Sequence, residues 1–535
     1  MRLYFFFLSS WFISIVIGLF VLFPNSDDIF YVLPALNFSE YQVLGIFFGD
    51  NFTWKIFFNL PTFSFFQGLI FFLYKAINLP IDFYSYRLSN GIIVLLLIFL
   101  FSYYLFYINK KNHKENNLIV PVIFIGSLGL IPFAQAWIIF RPEPMGLLFI
   151  ILGLWFYEFN VFKNKFFNVI FGSLFVGLAP ALHPVFALIS FSIILINFCK
   201  LFFNKLYINI LLLIFFSSLP LLILIFFLTL ISPEYIEVIN DQSSLAIDET
   251  MAILGLIDRS IGVFSYQINW KVKIASIYYL FYFLIVIFSF ISFVFSIRKI
   301  IVLKKIDFTT FTYLGIIFSS LVSLFVFYDH INIHNPLGVL LLFSLLGINV
   351  EYINGKFSII SKKTTSIIFL ILLLAPLSWS LLNYFKLEFF HDKYSNPFIL
   401  SDILVNKIDR TIPLYVISHE AAPLIIDQLK NPDLSKTYWL FPGYGTVYID
   451  KNETRFIESF IQDKVIGKNS YWLTREENNK SQGFKRNEDD SICIYIPRSY
   501  KQEKIYSIKV LESKVVHKSD KYSVIKGYNY SKDCE

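Results

Sequence analysis

The stretch IASIYYLFYFLIVIFSFISFVFS, Ile274 to Ser296, carries no charged residue and is bracketed by Lys273 and Arg298. A helix rising ~1.5 Å per residue needs ~20 residues to cross ~30 Å of hydrocarbon, so a run of this kind is long enough to span a bilayer. Similar runs occur at Leu3 to Phe23, Ile92 to Tyr107 and Leu211 to Ile231. The whole chain agrees with them: 56% of its 535 residues are hydrophobic and 16% charged, with a mean hydropathy of +0.63. One soluble core cannot hide that much apolar surface. The expected class is therefore an α-helical polytopic membrane protein.

By length and composition, spans fall near 3–23, 89–108, 118–137, 145–159, 166–181, 184–199, 207–231, 275–297, 308–328, 336–350 and 366–385, about eleven in all. The first apolar run is too long for a signal-peptide core and has no small-residue cleavage site before Pro24, so it is read as a retained span. With the N-terminus inside, the inside loops (1–2, 109–117, 160–166, 199–206, 298–307, 351–365) hold 15 Lys and Arg in 51 residues. The outside stretches (24–88, 137–144, 181–183, 232–274, 329–335) hold 7 in 126. This is the asymmetry of the positive-inside rule, and counting 62–77 as a further crossing would invert every later loop. Residues 62–77 are accordingly laid along the outer leaflet as an interfacial helix. The net charge of +7 reflects this orientation and does not call for a nucleic-acid partner.

Two domains follow: 1–385 in the membrane, with a first external loop at 24–88, and a polar extracytoplasmic domain at 386–535. The second reads as α/β, with strands at Leu414 to Ser418 and Thr437 to Leu440 flanking a helix near Ala421 to Leu429, then strands at Ile492 to Ile496 and Ile505 to Val510. Gly443-Tyr444-Gly445 is a turn signal only. Three cysteines, Cys199, Cys493 and Cys534, are too few for a disulfide framework. A bridge from Cys493 to Cys534 and two free thiols stand as equal alternatives.

The chemistry-bearing residues gather on the outer side of this topology. Asp27 and Asp28 follow the first span and Pro24; Arg87 lies in Tyr86-Arg87-Leu88-Ser89 at the entry to the second span. In Phe140-Arg141-Pro142-Glu143-Pro144 an Arg precedes, and a Glu stands between, two prolines, which ordinary solvated loops rarely show, and His183-Pro184 closes the fifth span. Asp329, His330 and His334 share one loop, where carboxylate and imidazole suit a divalent metal, although any third ligand has to come from elsewhere. The metal stays unassigned. A single acid pair or histidine at a span end is as readily an interfacial side chain; what counts is that all nine fall on one face.

On an extracytoplasmic face, activated sugars arrive on lipid carriers. A polyprenyl-phosphate sugar keeps its tail in hydrocarbon and its phosphate at the interface, and transfer requires a base for the acceptor hydroxyl and cations for the departing phosphate. Asp28 or Asp27 fits the base, and Arg87 or Arg141 the phosphate. A carboxylate near ~4 becomes a useful base when desolvation or a like-charged neighbour raises its pKa.

Residues 1–200 resemble the polytopic GT-C glycosyltransferases, especially the mannosyltransferase-like and aminoarabinose-transferase-like bacterial members. The resemblance rests on Asp27-Asp28-Ile29-Phe30-Tyr31, Leu60-Pro61-Thr62, Tyr86-Arg87-Leu88-Ser89, Arg141-Pro142-Glu143-Pro144 and Leu182-His183-Pro184. It implies a GT-C fold, a polyprenyl-phosphate-sugar donor, a lipid, glycan or protein acceptor, and a place in a bacterial cytoplasmic membrane with the N-terminus cytoplasmic. It also implies that the first external loop carries the catalytic acid and the second a further acid, which map to Asp27/Asp28 and Glu143. The family often shows Asp-Glu where this chain has Asp27-Asp28, and His-Pro-Pro where it has Asn59-Leu60-Pro61. The choice between Asp27 and Asp28 as base therefore stays open.

A transporter or flippase calls for ionisable groups near mid-span and two related halves; the spans here are nearly free of Asp, Glu, Lys and Arg. A lipid-glycan polymerase or ligase usually relies on arginines in a large external loop. The 232–274 loop has only Arg259, Lys271 and Lys273 against Glu234, Glu237, Asp241, Asp248, Glu249 and Asp258.

Overall fold

The structure is a computed structural model of the chain. It describes residues 2–21, 29–42, 61–113, 118–131, 141–159, 161–231, 252–261, 270–303, 308–326, 335–359, 361–390, 397–416, 426–427, 429–430, 437–439, 469–475, 483–487, 491–497, 505–518 and 522–531. In chain order the helices are α1 (Arg2–Val21), α2 (Ile29–Tyr41), α3 (Pro61–Ala76), α4 (Phe83–His113), α5 (Ile119–Leu128), α6 (Glu143–Phe159), α7 (Lys165–Leu182), α8 (Ala187–Phe203) and α9 (Tyr207–Ile231). They continue as α10 (Ala252–Ile261), α11 (Trp270–Leu303), α12 (Phe308–Val326), α13 (Asn335–Ile348), α14 (Val350–Ile359), α15 (Lys362–Phe390) and α16 (Pro397–Asn406). A 3-10 turn, Pro184–Phe186, joins α7 to α8.

A helix stands at each of the eleven expected span positions. Among the described residues, six are long and apolar enough to cross a membrane, and they lie in α4, α7, α8, α9, α11 and α12. Apolar stretches of α1, α5, α13 and α15 are shorter. Among the described residues six helices thus meet the length criterion, and the count of about eleven is not confirmed. The span expected at 118–137 ends as a helix at Leu128, with Gly129 at its C-cap and Pro132 disfavouring helix in the residue before it.

Contacts divide the chain into two compact units. The first comprises Met1–Val21, Asn90–Phe227 and Asn240–Tyr384; the second comprises Leu22–Ser89, Leu228–Ile239 and Phe385–Glu535.

In the first unit, α1 is held by hydrogen bonds that an apolar environment makes obligatory. Trp11 Nε1 donates to the Ile125 carbonyl at 2.8 Å, and the Tyr4 and Ser102 hydroxyls pair at 2.7 Å. Pro376 interrupts α15, and beside it Ser10 and Ser14 donate to the carbonyls of Leu373 and Pro376, both at 2.6 Å. Helices α6 and α7 form an antiparallel hairpin with small residues at the crossing: a Cβ on Gly153 would lie 2.4 Å from Val176, and one on Gly172 would lie 2.7 Å from Tyr157. Asn164 caps α7 by accepting from the Phe166 N–H. At that end of the hairpin Lys200 of α8 reaches Glu158 at 3.2 Å.

In the second unit, α3 packs on α2. Ser64 donates to the Tyr31 carbonyl at 3.1 Å, the Tyr31 and Phe63 rings meet edge to face at 5.2 Å, and Gly68 lets Phe38 approach. Its buried face is Phe63, Ser64, Gln67, Gly68 and Phe71, while Phe65, Leu69, Phe72 and Leu73 are exposed. The helix expected at 62–77 therefore exists, with apolar side chains on both faces. The same unit contains a seven-stranded sheet: β1 (Leu414–Val416), β2 (Thr437–Trp439), β3 (Ser470–Arg475), β4 (Gly483–Arg486), β5 (Ile492–Pro497), β6 (Ile505–Lys518) and β7 (Tyr522–Ser531), in the order β2-β1-β3-β7-β6-β5-β4. The β2-β1-β3 pairings are parallel and the rest antiparallel.

Strands β1, β2, β5 and β6 stand where expected. The others were not anticipated; β4 and β7 contain glycine, Gly483 and Gly527, which weakens a strand signal. Gly527 is needed: a Cβ there would fall 2.3 Å from the Tyr530 hydroxyl, which accepts from Trp472 Nε1 at 3.1 Å in the sheet core. The expected helix near 421–429 is described only at residues 426–427 and 429–430, which are helical, and Gly443 and Gly445 lie outside the described residues. Cys493 is disulfide-bonded and Cys199 is free, while Cys534 lies outside the described residues.

Asp427 is fully buried and accepts from Arg410 Nη2 at 2.8 Å. Burial pushes its carboxyl up to about 6, against the opposing pull of Arg410 and, more weakly, Lys430. The folded state therefore holds this proton more tightly than the unfolded chain. The stabilisation is complete below pH ~4, is lost as pH rises to ~6, and amounts to about 3 kcal/mol. We expect Asp427→Asn to remove that slope: its unfolding free energy relative to wild type should rise between pH 4 and 6, as measured by denaturant titration of the detergent-solubilised chain. A constant difference across this window would show that the carboxyl titrates normally.

Candidate functional site

The Arg141–Glu143 loop enters α6 in a way its prolines dictate. The Gly146 N–H bonds to the Pro142 carbonyl at 2.9 Å, so Pro142 caps the helix and Glu143 is its first residue. Pro144 sits in the first turn, where a missing N–H costs nothing. Glu143 thus lies where the helix dipole favours a carboxylate. Its side chain is 0% exposed, and Oε1 accepts from Arg141 Nε at 2.9 Å; the Arg141 side chain is 10% exposed. The two side chains pair, and the pair is buried.

His183 terminates α7 at the same end of the hairpin. Its Nδ1 accepts from the Val185 N–H at 3.2 Å, which fixes Nδ1 as the unprotonated nitrogen and leaves the ring proton on Nε2. Two residues on, Phe186 covers the start of α6 so closely that a Cβ on Gly146 would lie 2.2 Å from its ring. Gly146 is therefore what lets the His183-Pro184 turn settle against the Arg141–Glu143 entry. Three of the residues singled out from sequence share one end of the α6–α7 pair.

Arg87 belongs to the second unit. It is buried in the second turn of α4, its guanidinium 4.2 Å from the centre of the Phe83 ring, which in turn meets Phe398 edge to face at 5.2 Å. Such a stacked guanidinium is oriented as well as charged. Asp82 has a structural task nearby: its carboxylate accepts from the N–H groups of Tyr84 and Ser85, and its own N–H bonds to the Ser85 hydroxyl, capping α4.

One residue was missed. Gln67 of α3 is 0% exposed, its Oε1 accepts from the Ser89 hydroxyl at 2.9 Å, and among the described residues its Nε2 has no hydrogen-bond partner. A buried amide donor left unsatisfied is costly, so this position is a candidate for ligand contact. The available signal was a lone polar side chain in the apolar run Phe63 to Leu73. Asp27, Asp28, Asp329, His330 and His334 lie outside the described residues. Among the described residues no group of three or more His, Cys, Asp and Glu is placed to hold a metal ion.

No family model and no characterised protein matches the sequence. Among solved structures, ArnT from Cupriavidus metallidurans bound to undecaprenyl phosphate is similar, with 10% identity and a TM-score of 0.46 over 97% of this chain and 96% of that one. The Archaeoglobus fulgidus oligosaccharyltransferase is similar in its apo form, with 13% identity and a TM-score of 0.49 over 88% of this chain and 69% of that one. Its complex with an inhibitory peptide and a dolichol-phosphate gives 11% identity and a TM-score of 0.47 over 87% and 69%.

Burying an ion pair costs desolvation that its mutual attraction only partly offsets, and removing one partner strands the other charge. Glu143→Gln should therefore destabilise the protein by about 3–5 kcal/mol, whereas the combined Arg141→Met and Glu143→Met variant should regain most of that loss. Asp82→Asn keeps a capping side chain and should cost no more than a few tenths of a kcal/mol. Unfolding in detergent micelles measures all three, and a Glu143→Gln protein as stable as wild type would show that the pair is not desolvated.

Proposed function

We propose that this protein is a membrane glycosyltransferase that moves a sugar from a polyprenyl-phosphate-linked donor to an acceptor hydroxyl on the extracytoplasmic face. The observation that carries the reading is the buried Arg141–Glu143 pair at the entry to α6, inside the motif that the resemblance marks as the second acidic site. A fully buried carboxylate held by a guanidinium at a helix start, with His183 at the same end, is an expensive arrangement that a merely anchoring helix does not require.

In this reading the acceptor oxygen attacks the anomeric carbon, the bond from that carbon to the phosphate oxygen breaks, and the acceptor proton passes to Asp28 or Asp27. Arg87 or Arg141 stabilises the charge that grows on the leaving phosphate. Glu143 positions Arg141 by holding Nε at 2.9 Å, which fixes the plane of the guanidinium. The first external loop at 24–88 and the 386–535 domain are placed outside the cell, with the N-terminus cytoplasmic and the protein in a bacterial inner membrane. The charge count across the loops and the bonded Cys493 both support that orientation. Asp329, His330 and His334 are the residues to which a divalent metal would be assigned.

The test is transfer from a panel of radiolabelled polyprenyl-phosphate sugars by purified full-length protein in detergent, with and without chelator. Asp28→Asn should lower turnover about 10²–10⁴-fold, and Asp27→Asn should do the same if it shares the proton. The combined Arg141→Met and Glu143→Met protein should fold and yet be inactive, while Asp82→Asn stays active. Normal turnover in both Asp27→Asn and Asp28→Asn would reject the assigned base. Passage of the lipid-linked sugar across proteoliposomes without any transfer would reject the enzyme altogether.

A further inference from the structure

Helix α3 turns one face inward, and on it Phe63, Gln67 and Phe71 recur at every fourth residue, all three fully buried. A leucine or methionine would fill the middle position and leave no polar atom to satisfy. The amide that stands there has its Nε2 end without a hydrogen-bond partner among the described residues. A buried donor in that state lowers stability, so the amide calls for a role beyond packing. Whatever meets the Nε2 end, the Oε1 end is already engaged.

The Ser89 hydroxyl lies 2.9 Å from Gln67 Oε1 and 2.6 Å from the Tyr86 carbonyl, so one proton is shared between a side chain of α3 and the backbone of α4. The Tyr86 ring in turn meets Phe83 edge to face at 5.6 Å, and the Phe83 ring carries the Arg87 guanidinium 4.2 Å from its centre. Phe83, Tyr86, Arg87 and Ser89 are all buried, so solvent loosens none of these contacts. The same face of α3 also grips α2: Ser64, one turn before Gln67, donates to the carbonyl of Tyr31, which follows Asp28 by three residues in the chain. Successive turns of α3 are thus bonded to the helix that begins after the proposed base and to the helix that carries the proposed phosphate cation.

We propose that Gln67 is a positioning residue for Arg87: through Ser89 its amide fixes the rotation of the first turns of α4, and with it the direction of the guanidinium toward the phosphate of the lipid-linked donor. The proposal rests on the assignment of Arg87 to that phosphate. Two residues apart on a helix of ~3.6 residues per turn, Arg87 and Ser89 stand ~200° from one another, so the amide acts on the far side of α4 from the guanidinium. Within a single turn the helix backbone is stiff, and a bond that holds one side sets the aim of the other.

Binding of undecaprenyl phosphate to the purified full-length protein in detergent, measured together with the unfolding midpoint, tests it. Gln67→Leu removes the amide and its unsatisfied donor at once, and the Ser89 hydroxyl keeps the Tyr86 carbonyl. The midpoint should therefore stay at or above that of wild type, while the Kd rises about five- to tenfold, the weight of one hydrogen bond. Ser89→Ala should give the same rise from the other partner, and it decides the matter should Gln67→Leu fail to fold. Arg87→Gln should weaken binding by itself, and adding Gln67→Leu to it should raise the Kd no further, because the group being positioned is gone. Equal weakening by Gln67→Leu with and without Arg87 would mark a general loosening of the fold and overturns the proposal, as does an unchanged Kd in either single variant. A wild-type chain that does not bind undecaprenyl phosphate, or an Arg87→Gln chain that binds it as tightly as wild type, removes the phosphate assignment itself and overturns both.

Discussion

Hydrocarbon offers no hydrogen bonds and no hydration for charge, and that constraint arranges this chain. Backbone groups satisfy one another inside long helices, and side-chain hydroxyls and indoles that enter the core find carbonyls, as Trp11, Ser10 and Ser14 do around α5 and α15. Ionisable groups are left with two options: they move to the helix ends or they are buried in pairs. Lys200 with Glu158 marks one end of the α6–α7 hairpin, and Arg141 with Glu143 marks the other.

The two pairs differ in a way that bears on chemistry. Lys200 keeps 30% of its side chain exposed, so solvent screens its bond to Glu158 and the pair is worth little. Glu143 has no exposure at all, and its carboxylate is fixed by a guanidinium, by the helix start and by two prolines that set the entry angle. Preorganisation of this kind is what catalysis of charge transfer requires, since dipoles already in place need not reorganise when charge develops. His183, with its tautomer set by the Val185 N–H, adds a neutral donor at the same end.

The strand-containing part of the second unit is governed by ordinary aqueous rules. Its core holds Trp472, whose ring lies tilted 4.7 Å from that of Tyr415 and whose Nε1 donates to the Tyr530 hydroxyl, and a single glycine makes room for that hydroxyl. The switch from parallel to antiparallel pairing at β3 places β7, the last strand, in the middle of the sheet rather than at its edge. Strand β7 thereby joins the parallel and antiparallel parts of the sheet through its pairings with β3 and β6.

The sequence by itself determined the helix positions, because a run of twenty apolar residues admits few structures in any solvent, and it marked β1, β2, β5 and β6, whose apolar runs are short and bounded by turn residues. It also singled out Arg141 and Glu143, since an arginine followed by a glutamate between two prolines is rare in a solvated loop, and it identified His183 as a residue at a helix end. Only the tertiary structure decided that the Arg141–Glu143 pair is buried, that Gly146 seats Phe186 against it, that Gln67 holds an unsatisfied amide inside α3, and that Asp82 is a cap. It alone set β7 between β3 and β6. The division has one physical cause. Periodicity and composition are local and survive in one dimension, whereas burial, pairing and strand order depend on which distant residues come to lie beside one another.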